Sequence, residues 1–278
     1  MLAPAAPCAV VDIGASPVDG SPPYRGLLEL GLCTVTGFEP QPEALAVLER
    51  RKGPRETYLG SAIADGRRRR LHVCRSSGMT SLLRPSKAAA EILTAFQVYG
   101  QIVREDDVET KRLDDVAEVV AIDLLKMDVQ GAELDVLRHG SEKLRRAVVV
   151  HTEVAFFPLY EEQPLFADVD LELRRQGFAP HGFFPGIKTW PIARMDAHAT
   201  AKLAARPNQL LDGDVVYVRD LLRMHALDDE QLKRMALITH DCYRSFDLAL
   251  RCVDLLEKRG ALAKGSAAEY LRLLDAPG

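Results

Sequence analysis

The chain has no uninterrupted apolar run of about 18 residues, the length a helix needs to cross a bilayer. Residues 1–13 carry no basic segment followed by a long apolar stretch. Neither a membrane span nor a signal peptide is expected, and the default location is cytoplasmic. Cysteine is scarce: Cys8, Cys33, Cys74, Cys242 and Cys252 are odd in number, widely spaced and without a CxxC pair. That excludes a zinc knuckle and a complete disulfide framework, and fits a reducing compartment. Positive charge is not in excess either. With 36 Lys+Arg against 40 Asp+Glu the formal charge is -4, which argues against a nucleic-acid binder resting on phosphate neutralisation. What remains is the composition of an ordinary globular protein, 47% hydrophobic and 27% charged. Its 278 residues suit one large α/β domain, or one domain with an appendage.

The pattern along the chain alternates strand and helix. CAVVDIGA at 8–15 is a β-branched apolar run ending on Asp12, Ile13 and Gly14, as a buried parallel strand entering a turn would. YRGLLELGL reads as a short helix and CTVTGFEP at 33–40 as the next strand, completing one βαβ unit. QPEALAVLERR at 41–51 follows as a helix, and TYLGSAIAD at 57–65 as a third strand with its exit loop. Residues 66–117 are irregular: a basic turn RRRR at 67–70, a strand LHVC, a polar loop SSGMTSLLRPS, a helix KAAAEILTAF and an extended stretch over 102–110. Regularity returns with the strand IDLLKMDV at 122–129, the helix GAELDVLRHG, the buried strand VVVHTEVAF at 148–156 and the helix PLFADVDLELRRQG. FAPHGFF and DVVYVRD are two further strands.

From Asp228 onward the apolar residues recur at helical spacing, from Leu232, Met235 and Ala236 to Cys252, Val253 and Leu256. The expected partition is a domain over 1–225 and a helical carboxyl-terminal appendage over 226–278. The tail is read as a cap or as the element of a homodimer, with packing onto the sheet as the alternative.

In an open α/β sheet, ligands sit beyond the carboxyl ends of the strands where strand order reverses. Asp12 with Gly14, Glu39, Ser61 with Ala62, Asp128 and Glu153 all fall at such ends. Glu39, closing the second strand, is placed to accept both hydroxyls of an adenosine ribose, an arrangement common to nicotinamide and adenosylmethionine cofactors. The first turn separates the two. A nicotinamide site needs G-x-G-x-x-G so that a helix amino terminus can approach the pyrophosphate, and GASPVDG lacks it. Asp19 and the nearby prolines oppose a pyrophosphate there, whereas Asp12 suits a cationic sulfonium ligand with its ammonium group. A nicotinamide-dependent oxidoreductase is therefore the weaker reading.

VDIGAS, TGFEPQPEAL, the SGMTSLL loop, TKRLDDV, IDLLKMDVQGAELDVLRHG and TEVAFFPLYEEQPLF occur in that order over about residues 8–220. Together they resemble the FkbM family of S-adenosylmethionine-dependent methyltransferases. The resemblance implies a class I methyltransferase (Rossmann-like) fold: a mostly parallel seven-stranded sheet with helices on both faces and an antiparallel final strand, here DVVYVRD. By motif position it implies that Asp12, Gly14 and Ala15 line the methionine end of the cofactor and Glu39 its ribose. Ser61 and Ala62 would flank the adenine, with Asp128 facing the reaction centre. It also implies O-methylation of a sugar, polysaccharide or natural-product hydroxyl, hence a small-molecule or glycan acceptor. Two positions depart from the family pattern: Ser16, Pro17, Val18 and Asp19 lengthen the D-x-G-A-N-x-G turn, and Gln130 stands where D-V-E-G has a carboxylate.

In-line attack of a hydroxyl oxygen on the sulfonium methyl requires alignment and removal of the hydroxyl proton. Asp128, His151 and Glu153 are the candidate catalytic groups. His151 and Glu153 are two apart on one strand and so share a face, and His151 has an intrinsic affinity for protons suited to a base. A histidine satisfied in the core is the competing reading of His151. A divalent cation held by Asp128, Glu153 and either His151 or His181 is an alternative without a compelling spacing signature, so no metal is assigned. Trp190, Phe183 and Phe184 are candidates for an aromatic wall around the acceptor, and Asn208 and Gln209 for orienting a polyol. A non-catalytic binding protein with the same fold is the remaining alternative.

Overall fold

The computed structural model describes residues 2, 4–16, 20–93, 95–192 and 208–275. The run CAVVDI forms β1 (Cys8–Ile13), flanked by β2 (Cys33–Phe38) and then β3 (Glu56–Leu59) on one side. On its other side lie β7 (Leu124–Met127) and β8 (Val149–Ala155). These strands run parallel. β10 (Gln209–Arg219) enters antiparallel beside β8, and β9 (Phe178–Trp190) pairs antiparallel with β10 at the edge. The resulting seven-stranded order is β3-β2-β1-β7-β8-β10-β9. Strand order reverses between β1 and β7, and the candidate residues gather there.

Strand residues alternate between two cores, as the pleat requires. Val11, Ile13, Leu125, Met127, Val150 and Val154 face one side, packed with α5 (Glu133–Arg138) and α6 (Phe166–Arg175). Val10, Leu124, Val149, Val216 and Val218 face the other, where α1 (Arg25–Glu29) contributes Leu27. The rest of that second core comes from the carboxyl-terminal helices α7 (Asp229–Tyr243), α8 (Phe246–Lys258) and α9 (Ser266–Asp275), through Leu232, Met235, Ala249, Cys252, Leu256 and Tyr270. In packing terms the tail therefore belongs to the same body as the sheet, which is the alternative to a projecting appendage. α7 starts at an Asp228 cap that accepts the Gln231 N–H and stops at Arg244 in the left-handed region (φ 52°).

The irregular middle differs from its sequence reading. TYLGSAIAD is two strands, β3 and the two-residue β4 (Ala62–Ile63), in different sheets. The arginine run is no turn: Arg68, Arg69 and Arg70 lie in β5 (Arg68–Cys74), antiparallel to the acidic strand β6 (Ile102–Lys111), which also pairs with β4. Arg68 meets Asp107 at 3.1 Å, and Arg70 meets Asp107 at 3.6 Å and Glu105 at 3.7 Å. Cross-strand charge pairing supports the solvent side of this small sheet, while Ile63, Leu71 and Cys74 are buried. KAAAEILTAF divides into α3 (Lys87–Ile92) and α4 (Phe96–Tyr99), and α2 (Pro42–Arg51) follows β2 as expected.

Candidate active site

The turn after β1 is built around one close approach. Gly14 has φ +80°, and a β-carbon there would lie 2.0 Å from the Asp128 carbonyl oxygen. Only glycine fits. The Gly14 and Ala15 N–H groups donate to the Phe38 carbonyl, and the Asp128 N–H donates to the Ile13 carbonyl. The ends of β1, β2 and β7 are thereby stitched together.

Over this seam opens a crevice of about 730 Å³ whose walls include Gly14, Ser16, Glu39, Ser61, Ala62 and Asp128. Five of the seven residues expected to hold the cofactor thus share one cavity. Glu39 is 3% exposed, and its Oε1 accepts the Gln41 N–H at 2.8 Å, fixing the carboxylate just beyond β2. The SGMTSLL loop forms the facing wall through Ser77, Gly78 and Thr80–Leu82.

Asp12 and Ala15 line a second cavity of about 1400 Å³, which shares Ser16 and Asp128 with the first. Asp12 is already engaged there. The Tyr24 hydroxyl donates to its Oδ2 at 2.6 Å, and Lys126 Nζ stands 3.2 Å from its Oδ1. Burial, reinforced by Asp12, raises the Tyr24 hydroxyl well above its usual value and keeps it a donor.

His151 belongs to this second cavity and is 8% exposed. Its Nδ1 lies 3.2 Å from the Tyr243 hydroxyl and its Nε2 3.7 Å from Asp214 Oδ1. Burial raises the Tyr243 phenol well above its usual value and keeps it protonated. Burial alone would raise Asp214, but His151, Lys188 and Lys126 hold it below the ordinary carboxylate value.

Glu153 lies outside both walls. Its Oε2 accepts from Gln130 Nε2 at 2.9 Å and its Oε1 is 3.6 Å from Lys188 Nζ. Burial, then the nearby Asp128, Asp212 and Glu133, push its carboxyl well above the usual range, with only Lys188 opposing. Glu133 is pushed up to about 7 by burial; its two oxygens accept the Val129 and Gly131 N–H groups at 3.0 and 2.9 Å. Asp128, Glu133 and Glu153 place their oxygens within 4.8 Å of one another. Neither His151 nor His181 joins them: His181 instead meets Ser245 Oγ at 2.7 Å. The amide of Gln130 reaches one oxygen each of Asp128 and Glu153, and backbone N–H groups reach both oxygens of Glu133.

The three aromatic candidates do not form one wall. Trp190 packs edge-on against Phe96, Phe183 joins Phe156 and Phe166, and Phe184 meets Tyr243. Gln209 opens β10 instead of preceding it. The reading of Asp19 lies outside the described residues. The sequence reading gave no role to Lys126, Tyr24, Asp214 or Tyr243. Lys126 carried one signal, a lysine inside the apolar run of β7.

The strand order with its single inserted antiparallel strand, and the crevice over the β1/β7 switch ending on Glu39, define a class I S-adenosylmethionine-dependent methyltransferase fold. A model of the methyltransferase FkbM domain matches residues 12–180. The 2-O-methyltransferase NoeI of Sinorhizobium fredii (strain NBRC 101917 / NGR234) is 37% identical over 172 residues, covering 58% of this chain and 70% of NoeI. The chain belongs to the FkbM methyltransferase family and is an adenosylmethionine-dependent methyltransferase. Among solved structures, magnesium protoporphyrin IX methyltransferase (ChlM) from Synechocystis PCC 6803 aligns with a TM-score of 0.40 at 12% identity, over 77% of this chain and 71% of that one. A putative methyltransferase from Thermoplasma acidophilum aligns at 0.40 and 9%, over 78% and 70%. Those likenesses are distant, and the fold assignment rests on the strand order itself.

Proposed function

We propose that the chain transfers the methyl group of adenosylmethionine to a hydroxyl of a sugar, polysaccharide or natural-product acceptor. The cofactor lies in the first crevice and the acceptor enters from the second cavity. The observation that carries this reading is that the two cavities share Ser16 and Asp128, with Glu39 in the wall of the first. Glu39 holds the ribose, Ser61 and Ala62 flank the adenine, and Gly14 lets the backbone approach the methionine end. The cofactor supplies the electrophilic methyl; the chain supplies alignment and a place for the proton.

His151 is the base best placed for an acceptor hydroxyl, because it lines the second cavity with Tyr243 3.2 Å from its Nδ1 and Asp214 3.7 Å from its Nε2. Asp12, held by Tyr24 and Lys126, fixes the floor of the cavity, and Asp128 stands at the boundary where the methyl must pass. The relative's printed activity, 2-O-methylation, supports oxygen as the acceptor atom. Among the described residues no helix is long and apolar enough to cross a membrane. A cytoplasmic location belongs to this proposal, as does a homodimer through the carboxyl-terminal helices, for which Leu271 and Leu273 on α9 are exposed. Calorimetric titration with adenosylmethionine, adenosylhomocysteine and NAD tests the cofactor; binding of NAD alone would overturn the reading. Turnover across a panel of glycans and hydroxylated small molecules tests the acceptor, and methylation confined to nitrogen or carbon would overturn O-transfer.

A further inference from the structure

Gln130 sits between the candidate groups, and each polar atom of its side chain has work there. Its Nε2 donates to Asp128 Oδ1 at 2.6 Å and to Glu153 Oε2 at 2.9 Å. Its Oε1 accepts from the Tyr160 hydroxyl at 2.9 Å. The orientation of the amide is fixed by these partners, since the reverse one would set its oxygen against two carboxylates. Its backbone carbonyl accepts from Ser81 Oγ at 2.5 Å, and Ser81 Oγ in turn accepts the Leu83 N–H. The side chain therefore ties the loop after β7 to β8 and to the Tyr160 segment, and the backbone carbonyl ties it to the facing SGMTSLL wall. Gln130 holds φ at 55°, a conformation uncommon outside glycine and asparagine.

We infer that Gln130 is a positioning residue for methyl transfer, a neutral amide that fixes the Asp128 carboxylate at the boundary of the two cavities by bridging it to Glu153. This rests on the function proposed above. Two amide hydrogens serve two carboxyl groups without adding charge to a pocket that already holds Asp128, Glu133, Glu153 and Asp212, with Lys188 as the facing cation and Tyr160 as the facing phenol. A carboxyl group at 130 would offer a single proton to two acceptors, and none once ionised.

The variants Gln130→Met, Gln130→Glu and Tyr160→Phe test this. Turnover is measured with whichever acceptor the panel identifies, and binding of adenosylhomocysteine by calorimetry. Gln130→Met should lower kcat about tenfold or more while the Kd for adenosylhomocysteine stays within about threefold. Gln130→Glu should be partly rescued at low pH, its kcat relative to wild type falling at least about fivefold from pH 6 to pH 9. Without ligand, its melting temperature relative to wild type should fall by at least about 4 °C over the same range, and that of Gln130→Met should not. If Gln130→Met does not fold, Tyr160→Phe decides: loss of the hydroxyl that orients the amide should lower kcat severalfold with binding unchanged. Wild-type kcat in Gln130→Met or in Tyr160→Phe, or a Gln130→Glu ratio flat with pH, overturns the inference. Failure of the wild type to bind adenosylmethionine overturns the proposed function instead, and is distinguishable because it precedes any variant.

Discussion

Gly14 and Asp128 approach so closely that a single methyl group on the glycine would sit 2.0 Å from the aspartate's carbonyl oxygen. That contact joins the first turn to the end of β7 and fixes the distance across the floor of the crevice. Gly14→Ala must move one backbone away from the other and adopt a left-handed conformation as well. We expect a loss of stability of more than about 1 kcal/mol, seen in chemical denaturation, and loss of adenosylmethionine binding by calorimetry. Unchanged affinity would show that the two turns are not the cofactor's cradle.

Glu39 is buried and anchored to the Gln41 N–H at the rim of the same crevice. Removing a charged acceptor of two ribose hydroxyls costs about 1.5–3 kcal/mol per bond. Glu39→Ala should therefore weaken adenosylmethionine binding at least about thirtyfold, with a small fall in melting temperature. An affinity equal to the wild type would remove the ribose assignment.

For His151→Ala, the expected loss is about 10²–10⁴ in kcat, with cofactor affinity within threefold. The comparison is Glu153→Gln: Glu153 lines neither cavity and its carboxyl is held toward the neutral form, so this variant should keep far more activity. Steady-state kinetics that reverse this order would transfer the base from His151 to Glu153.

Burial sets a pH dependence through Glu133, whose carboxyl is pushed up to about 7 in the folded chain against 4.5 ordinarily. Folding favours its protonated form, so the stabilisation is complete below pH 4.5 and is lost as pH rises through 7. The loss is on the order of 3 kcal/mol. Glu133→Gln gives up one of two backbone N–H partners and should be less stable than wild type at pH 5, with the gap closing or reversing by pH 8. Denaturation midpoints recorded across that range check the sign, and a gap that widens with pH would refute it.

The central parallel strands were legible as short apolar runs, β-branched in β1 and β8, and Gly14, Glu39 and Asp128 were legible because strand ends at a switch point are where such a sheet binds ligands. The small sheet was not. Arg68–Arg70 lie in a strand paired with β6, where Arg68 and Arg70 meet Asp107 and Glu105, and a charge run carries no trace of its partner. The apolar stripe of α7 and α8 announced a covered face but not what covers it; Leu232 and Cys252 share one core with Val149 and Val218, residues far away in the sequence. His151 shows the same limit: its nearest partner, Tyr243, lies 92 residues away, and no local spacing marks the pair.

That pair has a consequence for the tail as a whole. Tyr243 closes α7 with its ring against His151 and Phe184, so the helices that shield one face of the sheet also bring a hydroxyl to the imidazole's Nδ1. Shortening or loosening the last three helices would not merely uncover apolar surface. It would take the Tyr243 hydroxyl away from His151 Nδ1 and open the wall of the second cavity, which Cys242 and Tyr243 line.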